Sequence, residues 1–260
     1  IFVELLLQLL VGNVDQMMVS RVSQPSVAAI VNANQIMNLV IIVLSMASTA
    51  VTVILSQYLG AQDEKNASRT CMVSIVLISG VSLAATILVF AGHTPLYRAI
   101  HVPEEVFDEA SLYLLIVGAF ILVQGLYLTF SAMIRAFAMV KEVMIISVIM
   151  NAMNIVGNAI LINGWFGMPQ LGAVGAAIST DISKLVGLAL MIGMFFKSRR
   201  VKIGMSYLRP FPVQILKNLC LLAIPTGVES FSYNLSQMII LGIVNSFGTL
   251  VTVTKGYCTI

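Results

Sequence analysis

The chain has 260 residues, of which 59% are hydrophobic and only 10% charged, and its mean hydropathy is +1.00. Soluble domains carry roughly 25% charged residues, so this composition excludes an ordinary soluble domain and indicates a polytopic membrane protein. The formal net charge of +3 is too small to indicate nucleic acid, and three distant cysteines, Cys71, Cys220 and Cys258, support neither a disulfide framework nor a zinc site.

A helix crosses the hydrocarbon core with about 20 mostly apolar residues. Seven stretches approach or exceed that length: residues 1–19, 27–58, 70–92, 110–137, 143–162, 172–196 and 219–247. Continuous apolar runs favour helices over the alternating segments of a β-barrel, which run to about ten residues. The expected fold is therefore an all-α membrane protein, a polytopic helical bundle. Runs beyond the minimum imply tilt or extension past the bilayer. The chain starts inside an apolar run without Met and stops in the polar stretch 252–260, so a fragment is expected, with no cleavable signal peptide in view.

Basic residues set the orientation. Lys65 and Arg69 follow the second span, Arg135 and Lys141 bracket the junction after the fourth, and Lys197, Arg199, Arg200, Lys202, Arg209 and Lys217 fill the loop after the sixth. The opposite connections hold Arg21, Arg98 and the acidic group Glu104, Glu105, Asp108 and Glu109. The positive-inside rule makes the basic loops, and the start of the chain, cytoplasmic. That topology also accounts for the basic loop without a lipid or nucleic-acid patch. Gly60 and Gly92 are expected at span ends, residues 163–172 form a tight outer turn, and His93 and His101 lie in the outer loop between the third and fourth spans.

Few residues in the spans carry chemistry. Asp15 sits near the middle of the first apolar run; an intramembrane acid is costly and marks an ion, proton or substrate site unless neighbouring polar groups or headgroups satisfy it. On the fifth span Asn151, Asn154 and Asn158 fall at i, i+3 and i+7, on one helical face. They are either interhelical hydrogen-bond glue or oxygen acceptors facing Asp15, a set that suits a hard cation such as Na⁺ or a proton on the carboxylate. On the sixth span Thr180 offers another hydroxyl, while Asp181 and Lys184, three apart, can meet as a self-neutralising pair. On the seventh, Pro225 kinks the helix, and Glu229 is either a second cation-binding group or a snorkelling boundary residue. Gly118, Gly125, Gly172, Gly175, Ala176 and Ala177 read as close-packing positions, and the 15 methionines as core filler or the lining of a deformable cavity. Phosphate loops, HExxH helices and Ser/His/Asp sets do not occur, so neither a nucleotide-driven pump nor an enzyme is expected.

Four stretches together resemble the multidrug and toxic compound extrusion (MATE) family: "VDQMMVSRVSQPSVAAI", "STAVTVILSQYLGAQDEKNASRT", "NAMNIVGNAILINGWFGMPQLGAVGAAIST" and "AIPTGVESFSYNLSQM". The resemblance implies twelve helices in two six-helix lobes, a monomer in the cytoplasmic membrane. It also implies an antiporter that exports amphipathic or cationic small molecules against H⁺ or Na⁺ without a cofactor. In that scheme residues 1–200 are the N-terminal lobe, 201–218 a cytoplasmic inter-lobe loop, and 219–260 the truncated start of the second lobe. Asp15 matches the family's first-helix carboxylate, Asn154 and Asn158 its fifth-helix polar positions and Thr180 its sixth-helix hydroxyl. Asp181 and Lys184 depart from it, being charged where the family is usually neutral, and Glu229 occurs only in some branches. A weak echo, Val3–Glu4 against Val228–Glu229, fits duplicated halves. The alternative within the same superfamily is a flippase for lipid-linked oligosaccharides, which would place bases in its cavity; here Lys184 is the single intramembrane base. A seven-helix receptor would need no second lobe and would have its N-terminus outside.

Overall fold

The computed structural model describes residues 24–164, 170–198, 200–201 and 203–258. Among these the chain forms eight α-helices and one 3₁₀ turn, with no strand. They are α1 (Gln24–Gly60), α2 (Glu64–Ala99), α3 (Glu104–Ala119), α4 (Ile121–Ala136), α5 (Val140–Asn163), α6 (Gly172–Ser198), α7 (Val213–Asn245) and α8 (Thr249–Cys258). The first expected span, with Asp15, lies outside the described residues.

Four helices, α1, α2, α5 and α6, are each long and apolar enough to cross a membrane, and α3 with α4 makes a fifth span bent by 46°. In a bilayer the backbone must satisfy itself, and a helix does so whatever its side chains are, which is why apolar runs alone forecast these elements. This is a multi-pass helical membrane protein. Its outward surface fits that reading: Ile87 and Leu88 are 68% and 63% exposed, an apolar face suited to lipid and costly in water.

α1 is the centre of the bundle and packs against α2, α3, α4, α7 and α8, while α5 pairs chiefly with α6. Buried side chains fall into two groups along the axis of α1. One surrounds its first half through Ile36, Leu44, Tyr97, Leu114, Ile162 and Ala177. The other surrounds its second half through Leu55, Cys71, Phe130, Met133, Met191 and Leu219. Phe195 ties this second group together, its ring 5.4 Å from that of Phe130 in an edge-on contact and 5.6 Å from that of Phe137.

Two expectations are corrected here. Gly92 does not end its span, and His93 is not in a loop, because α2 continues through both and through Pro95 to Ala99. Tyr97 anchors the extra turns: it is fully buried, its hydroxyl donates to the Ala110 carbonyl at 3.0 Å, and its ring meets Phe107 edge-on at 5.8 Å. Leaving the helix at Gly92 would forfeit those contacts. The fourth span is also not one rod, since it breaks at Phe120 between α3 and α4. At the other end, Gly60 does close α1, and the tight turn to α2 runs through Gln62 at φ 58°. Asp63 caps α2 by accepting from the Asn66 backbone N–H at 3.0 Å and its side-chain amide at 2.7 Å, and those bonds hold the carboxyl below its ordinary range.

Small residues set the helix spacing. A Cβ at Gly175 would lie 2.6 Å from the Leu161 carbonyl oxygen, a backbone atom that cannot swing aside. Gly193, on the same helix, faces open space. Gly175→Ala is therefore expected to destabilise the folded protein by about 1–3 kcal/mol, the usual cost of overpacking. Gly193→Ala is expected to be neutral or slightly stabilising. Thermal melting of both variants in detergent checks this, and equal melting temperatures would refute the packing role.

Candidate functional site

The polar seam lies between α5 and α6. Ala and Gly on the facing sides let the two backbones approach; Gly157 sits directly against Ser179, where a Cβ would collide with the hydroxyl. Ser179 uses that proximity to donate to the Asn154 carbonyl at 3.0 Å. Asn154 Nδ2 in turn donates to Thr180 Oγ1 at 3.1 Å, and Asn158 Nδ2 donates to Asn154 Oδ1 at 3.3 Å. Asn154 is 5% exposed and Asn158 fully buried, with Thr180 half-buried beside them.

Three residues expected at a cation site, Asn154, Asn158 and Thr180, thus form one hydrogen-bonded chain. Asn151 is not joined to it; its amide nitrogen is buried and has no hydrogen-bond partner among the described residues. The seam presents neutral amide and hydroxyl oxygens, and no group of three or more His, Cys, Asp or Glu that could hold a metal occurs among the described residues. Such oxygens fit a hard monovalent cation, but any carboxylate for it must come from elsewhere. Asp15 lies outside the described residues, as does the side chain of Glu229, whose backbone belongs to α7.

Asp181 adjoins Thr180 in sequence but turns away from this chain. It is 2% exposed, and neither carboxylate oxygen accepts a hydrogen bond among the described residues. The expected Asp181–Lys184 pair is not a hydrogen-bonded one. Lys184 is an electrostatic neighbour only, because one helical turn brings the two Cβ atoms near each other without aiming the ammonium at the carboxylate. Ser179 belongs to the polar run Ser179, Thr180, Asp181 and Lys184 of the sixth span, without a role of its own in the sequence, and Gly157 carries no sequence signal; together they lock the seam, a Gly facing a Ser being too common a pairing to stand out.

The fold and the seam define the class, a multi-pass helical membrane protein with amide and hydroxyl oxygens buried between two of its helices. The family model MatE matches residues 1–160, and the chain belongs to that family. It is 37% identical to the uncharacterized transporter YisQ of Bacillus subtilis (strain 168) over 257 residues, covering 99% of this chain and 56% of that protein. It is 26% identical to the probable multidrug resistance protein NorM of Thermotoga maritima over 238 residues, covering 89% of this chain and 50% of that protein. Among solved structures, the fold is similar to the inward-facing conformation of a multidrug resistance MATE family transporter of the MOP superfamily. That likeness has a TM-score of 0.84 at 22% identity and covers 95% of this chain and 55% of that one. The chain spans about half the length of these relatives.

The seam's hydrogen bonds are expected to be coupled. Asn154→Ala and Thr180→Val should each cost about 1 kcal/mol or less, the usual size of an interhelical hydrogen bond in a membrane. The double variant should lose less than the sum. Thermal melting of the three variants measures the coupling, and strict additivity would show that the two side chains act independently.

Proposed function

We propose that the protein containing this chain is a cation-coupled antiporter that exports organic cations and drugs across the cytoplasmic membrane by alternating access. The observation that carries the reading is the buried Asn158–Asn154–Thr180 chain between α5 and α6. Neutral oxygens fixed in an apolar bundle provide a weak site that a nearby carboxylate would complete.

In this reading Asp15 supplies the carboxylate, and H⁺ or Na⁺ entering from outside neutralises it. Loss of the negative charge removes the cost of burying the acid. The span that carries Asp15 and its neighbours then repack, and the bound drug is released outward. Each charge that enters down the field provides about 2.3 kcal/mol per 100 mV. A monovalent cationic drug that leaves costs the same, so one-for-one exchange draws on the ion's concentration gradient, and work from the field requires more than one ion per drug. The name of the Thermotoga maritima relative supports multidrug export, and the composition supports a multi-pass location. Asp15→Asn in the full-length protein is expected to abolish ion-driven dye efflux from vesicles while membrane expression stays normal. Running the assay under separate Na⁺ and pH gradients identifies the coupling ion. Undiminished efflux by Asp15→Asn under both gradients would overturn the proposal.

A further inference from the structure

A second polar cluster lies away from the seam, where α7 meets α1. Asn32 and Thr252 are fully buried, and Asn245, the last residue of α7, is 3% exposed. Asn245 Nδ2 donates twice, to Asn32 Oδ1 at 2.6 Å and to the Ile100 carbonyl at 2.8 Å. Its Oδ1 accepts from Thr252 Oγ1 at 2.8 Å. Asn32 completes the cluster by donating to the Ala28 carbonyl at 2.9 Å. One amide thereby joins four elements: α1, the end of α2, α7 and α8.

Burial makes this amide an all-or-none connector. A buried donor left without its partner costs the desolvation of that group, so the four elements cannot separate a little at this point. α7 runs close to the end of α2 here: a Cβ on Gly242, one turn before Ser246, would be in van der Waals contact with Ile100 at 3.4 Å. Two weaker bonds flank the cluster, Gln35 Nε2 to the Asn234 carbonyl at 3.2 Å and Thr249 Oγ1 to Glu105 Oε2 at 3.2 Å. Asn32 and Gln35 lie in the half of α1 that begins at Gln24, the end the charge pattern assigns to the exterior. Along the rest of α7, Leu221, Ile224, Val228, Phe231, Leu235, Ile239 and Ile243 repeat every three or four residues and stay exposed.

We propose that Asn245, held by Asn32, Thr252 and the Ile100 carbonyl, is a latch that keeps the outer mouth closed between the first lobe and α7. It must break for the protein to open outward. The inference rests on the alternating-access reading above, with α7 as the first helix of a second lobe. The latch sets how often the outer mouth opens, and the α5–α6 seam is a separate site.

The test uses the full-length protein in intact cells, with its cysteines replaced and a single reporter, Leu241→Cys, introduced. Leu241 is fully buried one turn below Asn245 and makes no part of the cluster. A membrane-impermeant maleimide added outside reads opening of the mouth without drug or coupling ion, so its result is independent of the Asp15→Asn efflux assay. Asn245→Ala is expected to raise the labelling rate about tenfold, equivalent to about 1.4 kcal/mol of shifted equilibrium. Asn32→Ala added to it should bring no further increase. Thr252→Val, which removes one hydroxyl and little else, should give a smaller rise and keeps the question answerable if Asn245→Ala fails to insert. Unchanged rates in these variants, or effects of Asn32 and Asn245 that multiply, would overturn the latch.

Discussion

The structure depends on one constraint: a polar side chain buried in an apolar bundle is satisfied only by a partner that packing brings within reach, on its own helix or on the next. Water is not there to take its place. At the α5–α6 seam the constraint is met by letting the backbones touch. Gly157 leaves room for Ser179, and that hydroxyl reaches the Asn154 carbonyl. Only at this separation does the Asn154 amide meet Thr180 and the Asn158 amide meet Asn154. Small residues and polar residues are thus one device, the first setting the distance that the second requires.

A second set of buried polar partners meets at the end of α7, where Asn245 is bonded in three directions. The two clusters differ in what they connect. The seam binds adjacent helices of one bundle and is continuous with the apolar packing of Ile162 and Ala177. The Asn245 cluster binds elements distant in sequence, Asn32 and Asn245 being 213 residues apart.

Asp181 shows how far a helical register can be trusted. Its neighbour Thr180 faces α5 and enters the chain, yet one residue turns the side chain by about 100°. Asp181 therefore packs where its oxygens meet no donor. Lys184 sits one turn away, but proximity along a helix is not a bond. Nothing in the spacing of these residues distinguishes the two outcomes.

Composition and the length of apolar runs determined the fold class, because a bilayer admits only self-satisfied backbones and a helix forms whatever its apolar side chains are. They also determined the second, third, fifth and sixth spans to within a few residues at most ends, and the row of asparagines on one face of α5. The break at Phe120, the passage of α2 through Gly92 and Pro95, and the length of α2 beyond its apolar core were decided by tertiary contacts such as those of Tyr97. So were the partners of each polar side chain. A single helix specifies which residues share a face, but which atom meets which depends on the spacing and rotation of two helices, and that is settled only when they pack.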